Sequence, residues 1–335
     1  MTTAAVVGIG DISANHLGAI ADNPAIDLVA VCDIVPERAA RAGTTWGVPT
    51  FTDHLAMLAE VKPDVVHITL PHFLHAPVAI DALRAGSHVL TEKPLAESVK
   101  AARELVEVAH ASDRKLGVCF QNRYNPTSQA LHEAVTSGRY GEIRGVRADT
   151  FWSRTPAYYA ASPWRATWAE AGGGTLINQQ IHTIDLLCWL LGKPVDVTGM
   201  ASNLRLRDVI EVEDAAVVSV THDSGVRSTF FATGAHSDNA PVEIEVSAEQ
   251  GLLRFTDGVL RHIAPDGTVT QLASDAQAVG ARSYWGRSHG LLIDDFYSSL
   301  DQPGQFWINA DEALMSLEVL RTVYAQSGLI PLDAV

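Results

Sequence analysis

The sequence predicts two domains of different class: a doubly wound α/β domain with a parallel sheet, then an α+β domain with an open, mostly antiparallel sheet. Three observations predict them. Residues 1–120 alternate short β-branched runs with helical patterns, and continuous apolar strands separated by helices belong to parallel sheets covered on both faces. From 195 to about 272, strand follows strand, broken by the turn signals DSG, EQG, TDG and PDG, which suit antiparallel hairpins. The length of 335 residues fits two domains at roughly 100–200 residues each. The boundary is expected near 122, giving domains 1–122 and 123–335.

The elements follow in order. Strands are expected at AAVVGIG, IDLVAVCD, PDVVHITL, HVLTE and LGVCF, with helices at HAPVAIDALRAG and KAARELVEVAHA between them. The helix PTSQALHEAVTSG opens the second half and leads to a strand near 143–151. An aromatic, irregular segment precedes a helix over 175–191, closed by Gly192. Two helices, near 288–300 and 310–327, end the chain. There are no repeats and no low-complexity tract.

Composition excludes several classes. Net charge is −15 with no run of Lys or Arg, so nucleic-acid and anionic-membrane partners are not expected. Cys32, Cys119 and Cys188 are an odd set without CxxC spacing. They argue against a disulfide framework and a zinc knuckle, and fit a reducing cytoplasm. The histidines are scattered, without HxH or HExxH spacing, so no metal is implied. The start MTTAAVVGIG reads as a first strand, not a signal peptide. No 18-residue apolar run is present, no GxSxG elbow follows a strand, and there is no P-loop.

VVGIGDISANH places Gly8 and Gly10 between a strand and a helix. Gly8 allows a tight turn, and Gly10 lets the backbone approach a pyrophosphate at the helix N-terminus. The third fingerprint position is Ser13. Asp33 ends the next strand, 23 residues beyond Gly10, where an acid can accept from an adenosine ribose diol. The same residue could instead cap a helix, and the glycines could form an ordinary turn. The strand–turn–helix context favours a dinucleotide. The carboxylate would repel a 2′-phosphate, which favours NAD over NADP; Arg38 and Arg41 leave NADP as the less favoured choice.

HVLTEKPLA puts Glu92, Lys93 and Pro94 at a strand end. Pro94 ends the ladder. Lys93 can aim its ammonium at a substrate oxygen and stabilise a developing charge, or pair with Glu92 on a solvated loop.

Together, Gly8-x-Gly10 with His16, Asp33, HAPVAIDALRAGSHVLTEKPLA and GGGTLINQQIHTIDLL resemble the glucose–fructose oxidoreductase, inositol dehydrogenase and rhizopine-catabolism (Gfo/Idh/MocA) family. The resemblance spans essentially the whole chain, including the WR pair and DEALMSLEVLRTVY. It implies a Rossmann domain plus an α+β domain whose open sheet mediates oligomers, here a homodimer or homotetramer. It also implies that Lys93 is catalytic or substrate-orienting. The residues matching the cofactor-binding pattern are Gly8, Gly10, Asp11, Ile12, Asp33, Pro71, His75, Glu92 and Lys93.

Asn178, His182 and Asp185 are spaced i, i+4, i+7 and share one face of a regular helix. Beside them Ile177, Ile181, Ile184 and Cys188 form an apolar stripe. A buried helix can carry a structural histidine. The Gly172–Gly174 run, however, removes side chains where something must approach closely. The family shows GGGxLxDxGxHxxD here, so the resemblance makes His182 the acid/base, and an imidazole suits proton exchange at neutral pH. Two departures stand out: Asn178 replaces the acid and Gln180 the glycine. Asparagine can bind a hydroxyl but cannot hold a proton, so His182 would work with Lys93, oriented by Asp185. Asn178 also resembles members acting on nucleotide sugars at the 3-hydroxyl. Gln179 and Gln180 would line a polyol site or face solvent.

The substrate-binding candidates are Asn178, Asp185, Gln179, Trp164, Arg165 and Tyr124. Arg165 could bind a phosphate or carboxylate, or pair with an acid. The aromatics of 152–168 could cover a sugar or simply pin the loop. His75 is expected to cap a helix, and His289 resembles a substrate-side position. The expected activity is NAD-dependent oxidation of a secondary hydroxyl on a sugar, sugar derivative or cyclitol, held between Lys93 and His182. The rivals are an internal-redox epimerase or eliminase with tightly bound NAD, and a non-enzymatic regulator.

Overall fold

The computed structural model describes residues 1–275 and 288–331. They fall into two compact units: Met1–Gln121 with Arg287–Leu314, and Asn122–Gly286 with Met315–Val335.

The first unit holds a six-stranded sheet of β1 (Thr2–Val7), β2 (Ile26–Cys32), β3 (Thr50–Phe51), β4 (Val65–Ile68), β5 (His88–Thr91) and β6 (Leu116–Val118). Its order is β3-β2-β1-β4-β5-β6, and every pairing is parallel. Strand order reverses between β1 and β4, which opens a ligand crevice at the strands' carboxyl ends. All four residues of β4 and most of β1 are buried, as a sheet covered on both faces requires. The crossovers are α1 (Ser13–Asp22), α2 (Pro36–Trp46), α3 (His54–Val61), α4 (His75–Arg84) and α5 (Val99–His110). Asp53 caps α3 through the Leu55 amide and Ser98 caps α5 through the Ala101 amide, each satisfying a donor that the helix start leaves open. The two-residue β3 is too short to leave a periodic signal.

The second unit begins with α6 (Pro126–Thr136), β7 (Ile143–Phe151), α7 (Pro156–Ala160) and α8 (Trp168–Ala171). A π-helical turn, Leu176–Gln180, runs into α9 (Ile181–Leu191), so the helix expected over 175–191 is not uniform. Seven strands follow: β8 (Pro194–Ser202), β9 (Ala215–His222), β10 (Arg227–Thr233), β11 (Glu243–Ala248), β12 (Gly251–Thr256), β13 (Val259–Ile263) and β14 (Val269–Ser274). The sheet order is β14-β13-β12-β11-β7-β10-β9-β8. Only β7 and β10 pair in parallel; the other pairs are antiparallel. Burial alternates along β10: Ser228, Phe230 and Ala232 point inward while Arg227, Thr229 and Phe231 are exposed. Such alternation marks a sheet with one covered face. Within this unit α6 packs on α9 and on β12–β14.

After the sheet, α10 (Ser288–Ser299) lies in the first unit, packed on α1, with the Asn23 amide donating to Asp294 at 2.7 Å. The last helix, α11, spans Ala310–Gln326. Among the described residues no helix is long and apolar enough to cross a membrane.

Candidate active site

In the first unit the β1–α1 turn is built as the glycines predict. Gly8 has φ of 95°, and a Cβ there would meet the Thr69 carbonyl oxygen at 2.7 Å. A side chain at 8 is therefore barred by both conformation and space. Gly10 is exposed and a Cβ there would meet nothing within 4 Å, so the turn is open beside the start of α1. The Ser13 hydroxyl donates to the Gly10 carbonyl at 2.6 Å and tightens the turn where a third glycine is absent. Asp11 is exposed and Ile12 half-buried at this mouth. Asp33 accepts from the Ile9 amide at 2.7 Å and from the Val35 amide at 2.8 Å, one on each oxygen. Each oxygen keeps a second lone pair, enough to receive a ribose diol. The turn, the helix start and the acid fit a dinucleotide.

Glu92 and Lys93 follow β5 at the same carboxyl edge, and the Lys93–Pro94 peptide is cis. They do not form a solvated pair. Glu92 is buried and its Oε1 contacts His16 Nε2 and His289 Nε2, both at 3.2 Å. Burial alone would raise its pKa, but the hydrogen bonds from His16 and His289 outweigh it and hold the carboxyl well below the usual range. Burial also lowers His16 and, further, His67, so both imidazoles are neutral. The proton order follows. An ionised carboxylate only accepts, so His16 and His289 donate through Nε2. His16 Nδ1 then accepts from His67 Nδ1 at 2.8 Å, and His67 Nε2 accepts from the Tyr297 hydroxyl at 2.8 Å. Every donor in this chain points toward Glu92.

Cys119 Sγ lies 3.9 Å from His16 Nε2, and donor atoms of His16, Glu92 and Cys119 all lie within 4.8 Å of one another. The fold thus gathers possible metal ligands that the sequence scatters. Burial pushes the Cys119 thiol well above its ordinary value, and the His16–Glu92 contact has an ordinary hydrogen-bond length. His75 opens α4 wholly buried. Its ring faces the Pro94 carbonyl at 2.7 Å and the Leu70 carbonyl at 2.8 Å, so it ties the turn before Pro71 to the one after Lys93.

In the second unit the glycine run serves the protein itself. A Cβ on Gly174 would collide with the Glu213 carbonyl, and one on Gly173 with the Tyr324 ring. The Glu213 side chain accepts from the Gly174 amide at 2.6 Å, the Leu176 amide at 2.9 Å and the Tyr324 hydroxyl at 2.9 Å. Arg321 donates to the Gly172 carbonyl at 2.9 Å. What approaches the glycines is therefore Glu213 and Tyr324, which clamp the start of the π-helical turn. Burial raises Glu213 more than its three donors lower it, and its pKa is pushed up to about 7.

The π-helical turn carries Asn178, Gln179 and Gln180 just before His182. Such turns insert a wider loop into a helix and concentrate at functional sites. Asn178 and His182 are half-buried, but their spacing crosses the π–α junction and is not that of a uniform α-helix. Gln180 is fully buried. Its amide donates to the Thr150 and Thr233 carbonyls at 3.3 and 3.1 Å, fastening the turn to the ends of β7 and β10, so it neither faces solvent nor lines an open surface. Asp185 is also fully buried, with one oxygen 2.7 Å from Arg123 Nη2 and the other 3.0 Å from Nε. That bidentate pair fixes α9 to the turn Gln121–Tyr124, in which Tyr124 is half-buried.

Before the glycines, Tyr158 accepts from the Gln179 amide at 2.9 Å. The Arg165 guanidinium lies 4.8 Å from the Tyr158 ring and 5.4 Å from Trp164. Arg154 lies 5.3 Å from the same Tyr158 ring and 5.1 Å from Trp152. Tyr159 packs with Ile210 and Val212 in a small core beneath. Sequence reasoning missed Arg154, Glu213, Tyr324, His67 and Arg123. Only Tyr324 sits in a motif, as the last residue of DEALMSLEVLRTVY, and the tertiary partners reveal the role of all five.

Fold and turn chemistry define a Rossmann-type, NAD-binding oxidoreductase with a second, sheet-based domain. The comparisons place it further. The family model described as "Oxidoreductase family, NAD-binding Rossmann fold" matches residues 2–120, and the "GFO/IDH/MocA C-terminal domain" matches 128–254. The chain belongs to the Gfo/Idh/MocA family. It is 33% identical over 194 residues to D-glucoside 3-dehydrogenase of Escherichia coli, a match spanning 57% of this chain and 54% of that protein. It is 29% identical over 332 residues to D-apiose dehydrogenase of Paraburkholderia graminis, spanning 96% and 86%. Its fold matches the WlbA dehydrogenase of Bordetella pertussis, solved with NADH and UDP-GlcNAcA. That match has a TM-score of 0.84 and 30% identity, and covers 97% of this chain and 96% of the other.

Proposed function

We propose that this chain is an NAD-dependent dehydrogenase that oxidises a secondary hydroxyl of a sugar, sugar derivative or cyclitol. The carrying observation is the edge of the first unit's parallel sheet, where the Gly8–Gly10 turn, Asp33 and Lys93 all follow strands that run the same way. When bound, NAD accepts the hydride. Asp33 holds a ribose diol and disfavours a 2′-phosphate. Lys93 orients the substrate oxygen and stabilises its developing charge, and Glu92, locked by His16 and His289, fixes the backbone that presents it. His182 takes the hydroxyl proton, and Asn178 binds a neighbouring hydroxyl without titrating. The names of the relatives, which are dehydrogenases of a glucoside and of apiose, support the substrate class.

The test is absorbance at 340 nm with NAD or NADP against cyclitols, hexoses, uronates, glycosides and nucleotide sugars. NADH should form with one class, and kcat should fall by about 10²–10⁴ in His182→Ala, with a loss of similar order in Lys93→Ala. No signal from protein that binds NAD would overturn the reading; NAD co-purifying with such protein would favour internal redox.

A second copy of the chain is the proposed partner of the open sheet. Met200, Val217 and Phe231 are exposed and lie directly opposite one another across β8, β9 and β10. Phe231→Asp should shift light scattering from a dimer or tetramer toward a monomer. Three buried free thiols fit the cytoplasm.

A further inference from the structure

The loop before the glycines holds two cations, Arg154 and Arg165, that no described residue neutralises. Among the described residues, neither Arg154 nor Arg165 has a carboxylate partner. Arg154 Nη1 donates only to neutral acceptors, the Ser153 carbonyl at 2.8 Å and Asn239 Oδ1 at 3.0 Å. The Nε atoms of both arginines are buried without a hydrogen-bond partner. Yet both guanidiniums lie within 5.3 Å of the centre of one ring, that of Tyr158.

The acids whose charge reaches the adjacent Tyr159, Glu213 and Asp214, are committed elsewhere. Asp214 accepts from the amides of Leu204, Arg205 and Leu206, and Glu213 clamps the glycine run. Two half-buried like charges gathered on one ring repel each other, and in a chain of net charge −15 none of the described acids pairs with either. A guanidinium presents a planar fork of donors that matches carboxylate and phosphate oxygens.

Two neutral groups complete the setting. Gln179 donates its amide to the Tyr158 oxygen, which leaves the phenolic proton to be given to a ligand, and Gln179 Oε1 is buried with no partner. Gln179 is the neighbour of Asn178 in the π-helical turn, three residues before His182. The two arginines are thus joined, through Tyr158, to the turn that carries the proposed substrate residues.

We infer that Arg154 and Arg165, with Tyr158 and Gln179, form a subsite for an anionic group on the substrate, so that the sugar oxidised carries a carboxylate or a phosphate. This rests on the dehydrogenase reading above and narrows it. Arg165 is the principal contact, because its charged end makes no hydrogen bond to the described residues, and Arg154 is the second.

The test uses full-length protein saturated with NADH, with binding measured by calorimetry independently of turnover. The probes are D-glucose, D-glucuronate, glucose 1-phosphate and a UDP-linked uronate. At least one anionic probe should bind tenfold or more tightly than glucose, and the advantage should shrink at high salt. The pattern among the three shows whether carboxylate or phosphate is the recognised group. In Arg165→Gln and Arg154→Gln the anionic-to-neutral ratio should fall toward one, and Arg165→Lys should restore part of it. If Arg165→Gln does not fold, as judged by thermal melting, Arg165→Lys and Arg154→Gln carry the test. Equal binding of neutral and anionic probes, or a ratio unchanged in both glutamine variants, overturns the subsite. Anion binding with no NADH formed from NAD in the 340 nm assay would sink the dehydrogenase reading and leave the subsite standing. Oxidation of neutral sugars alone would do the reverse.

Discussion

Glu92 in the first unit and Glu213 in the second are both enclosed, at 5% and 0% exposure, and both sit beside a residue or turn proposed to act on substrate. Glu92 receives imidazole donors from His16 and His289 and stays ionised far below neutrality. Glu213 receives two backbone amides and a phenol and is pushed up to about 7. Burial penalises the charge in both. The donors differ: an imidazole can take up positive charge and relay polarisation from a further imidazole, as His67 does for His16, whereas amides and a phenol offer only fixed dipoles. Asp185, also fully buried, is paired instead with Arg123, a permanent cation. The character of the donors, more than their number, decides whether a buried carboxyl keeps its charge.

The comparison can be broken in order of expected effect. Asp185→Asn removes the charge from the buried carboxylate that Arg123 holds in a bidentate pair and should cost about 3–5 kcal/mol in denaturant unfolding; a loss under 1 kcal/mol would show that charge on the partner is not decisive.

Glu213 predicts a pH slope. Its folded pKa, about 7, lies above its ordinary value of 4.5. The stability it contributes is therefore complete below pH 4.5 and lost as pH rises through about 7, a change of roughly 3 kcal/mol at 1.36 kcal/mol per unit. The gap between wild type and Glu213→Gln should narrow by that amount over this window; a constant gap refutes the raised pKa. Glu92 must behave oppositely. Its contribution is present above 4.5 and lost only as pH falls through its depressed folded value, so the gap to Glu92→Gln should stay constant from pH 5 upward.

Gly174→Ala should cost about 1–3 kcal/mol, because the added carbon meets the Glu213 backbone, and melting should report it whether or not ligand is present. Were the glycine instead reserved for substrate, KM would change and melting would not. The smallest effect is expected from His67→Phe, which removes the donor to His16 Nδ1 at about 1 kcal/mol. Glu92 should nonetheless remain ionised, since His16 Nε2 and His289 still donate to it.

Much of this fold can be read directly from the chain. The strand at Thr2–Val7 shows as an apolar run, the turn after it as two glycines, and the hairpins of the second sheet as DSG, EQG, TDG and PDG. Each signal is local: a residue's own φ preference, or a period of two or 3.6. The candidate residues Lys93, Asn178 and His182 were legible because they lie in short contiguous motifs. The π-helical turn was not, because LINQQ carries no residue that forbids an ordinary helix. The clamp by Glu213 and Tyr324 holds that turn's start, and Gln180 anchors it on the ends of β7 and β10.

By itself, then, the sequence determined the two sheet types, the glycine turn with Asp33, and the identity of the side chains available for chemistry. The tertiary structure alone decided which of those side chains meet. His16 reaches Glu92 across 76 positions and His289 reaches it across 197. Arg123 claims Asp185 across 62, and Arg154 and Arg165 come to share one tyrosine. Backbone conformation is governed by neighbours along the chain, so a pattern of residue types can announce it. The partner of a buried polar group is governed by which groups lose their water together, and that depends on where strands and helices from distant parts of the chain come to rest.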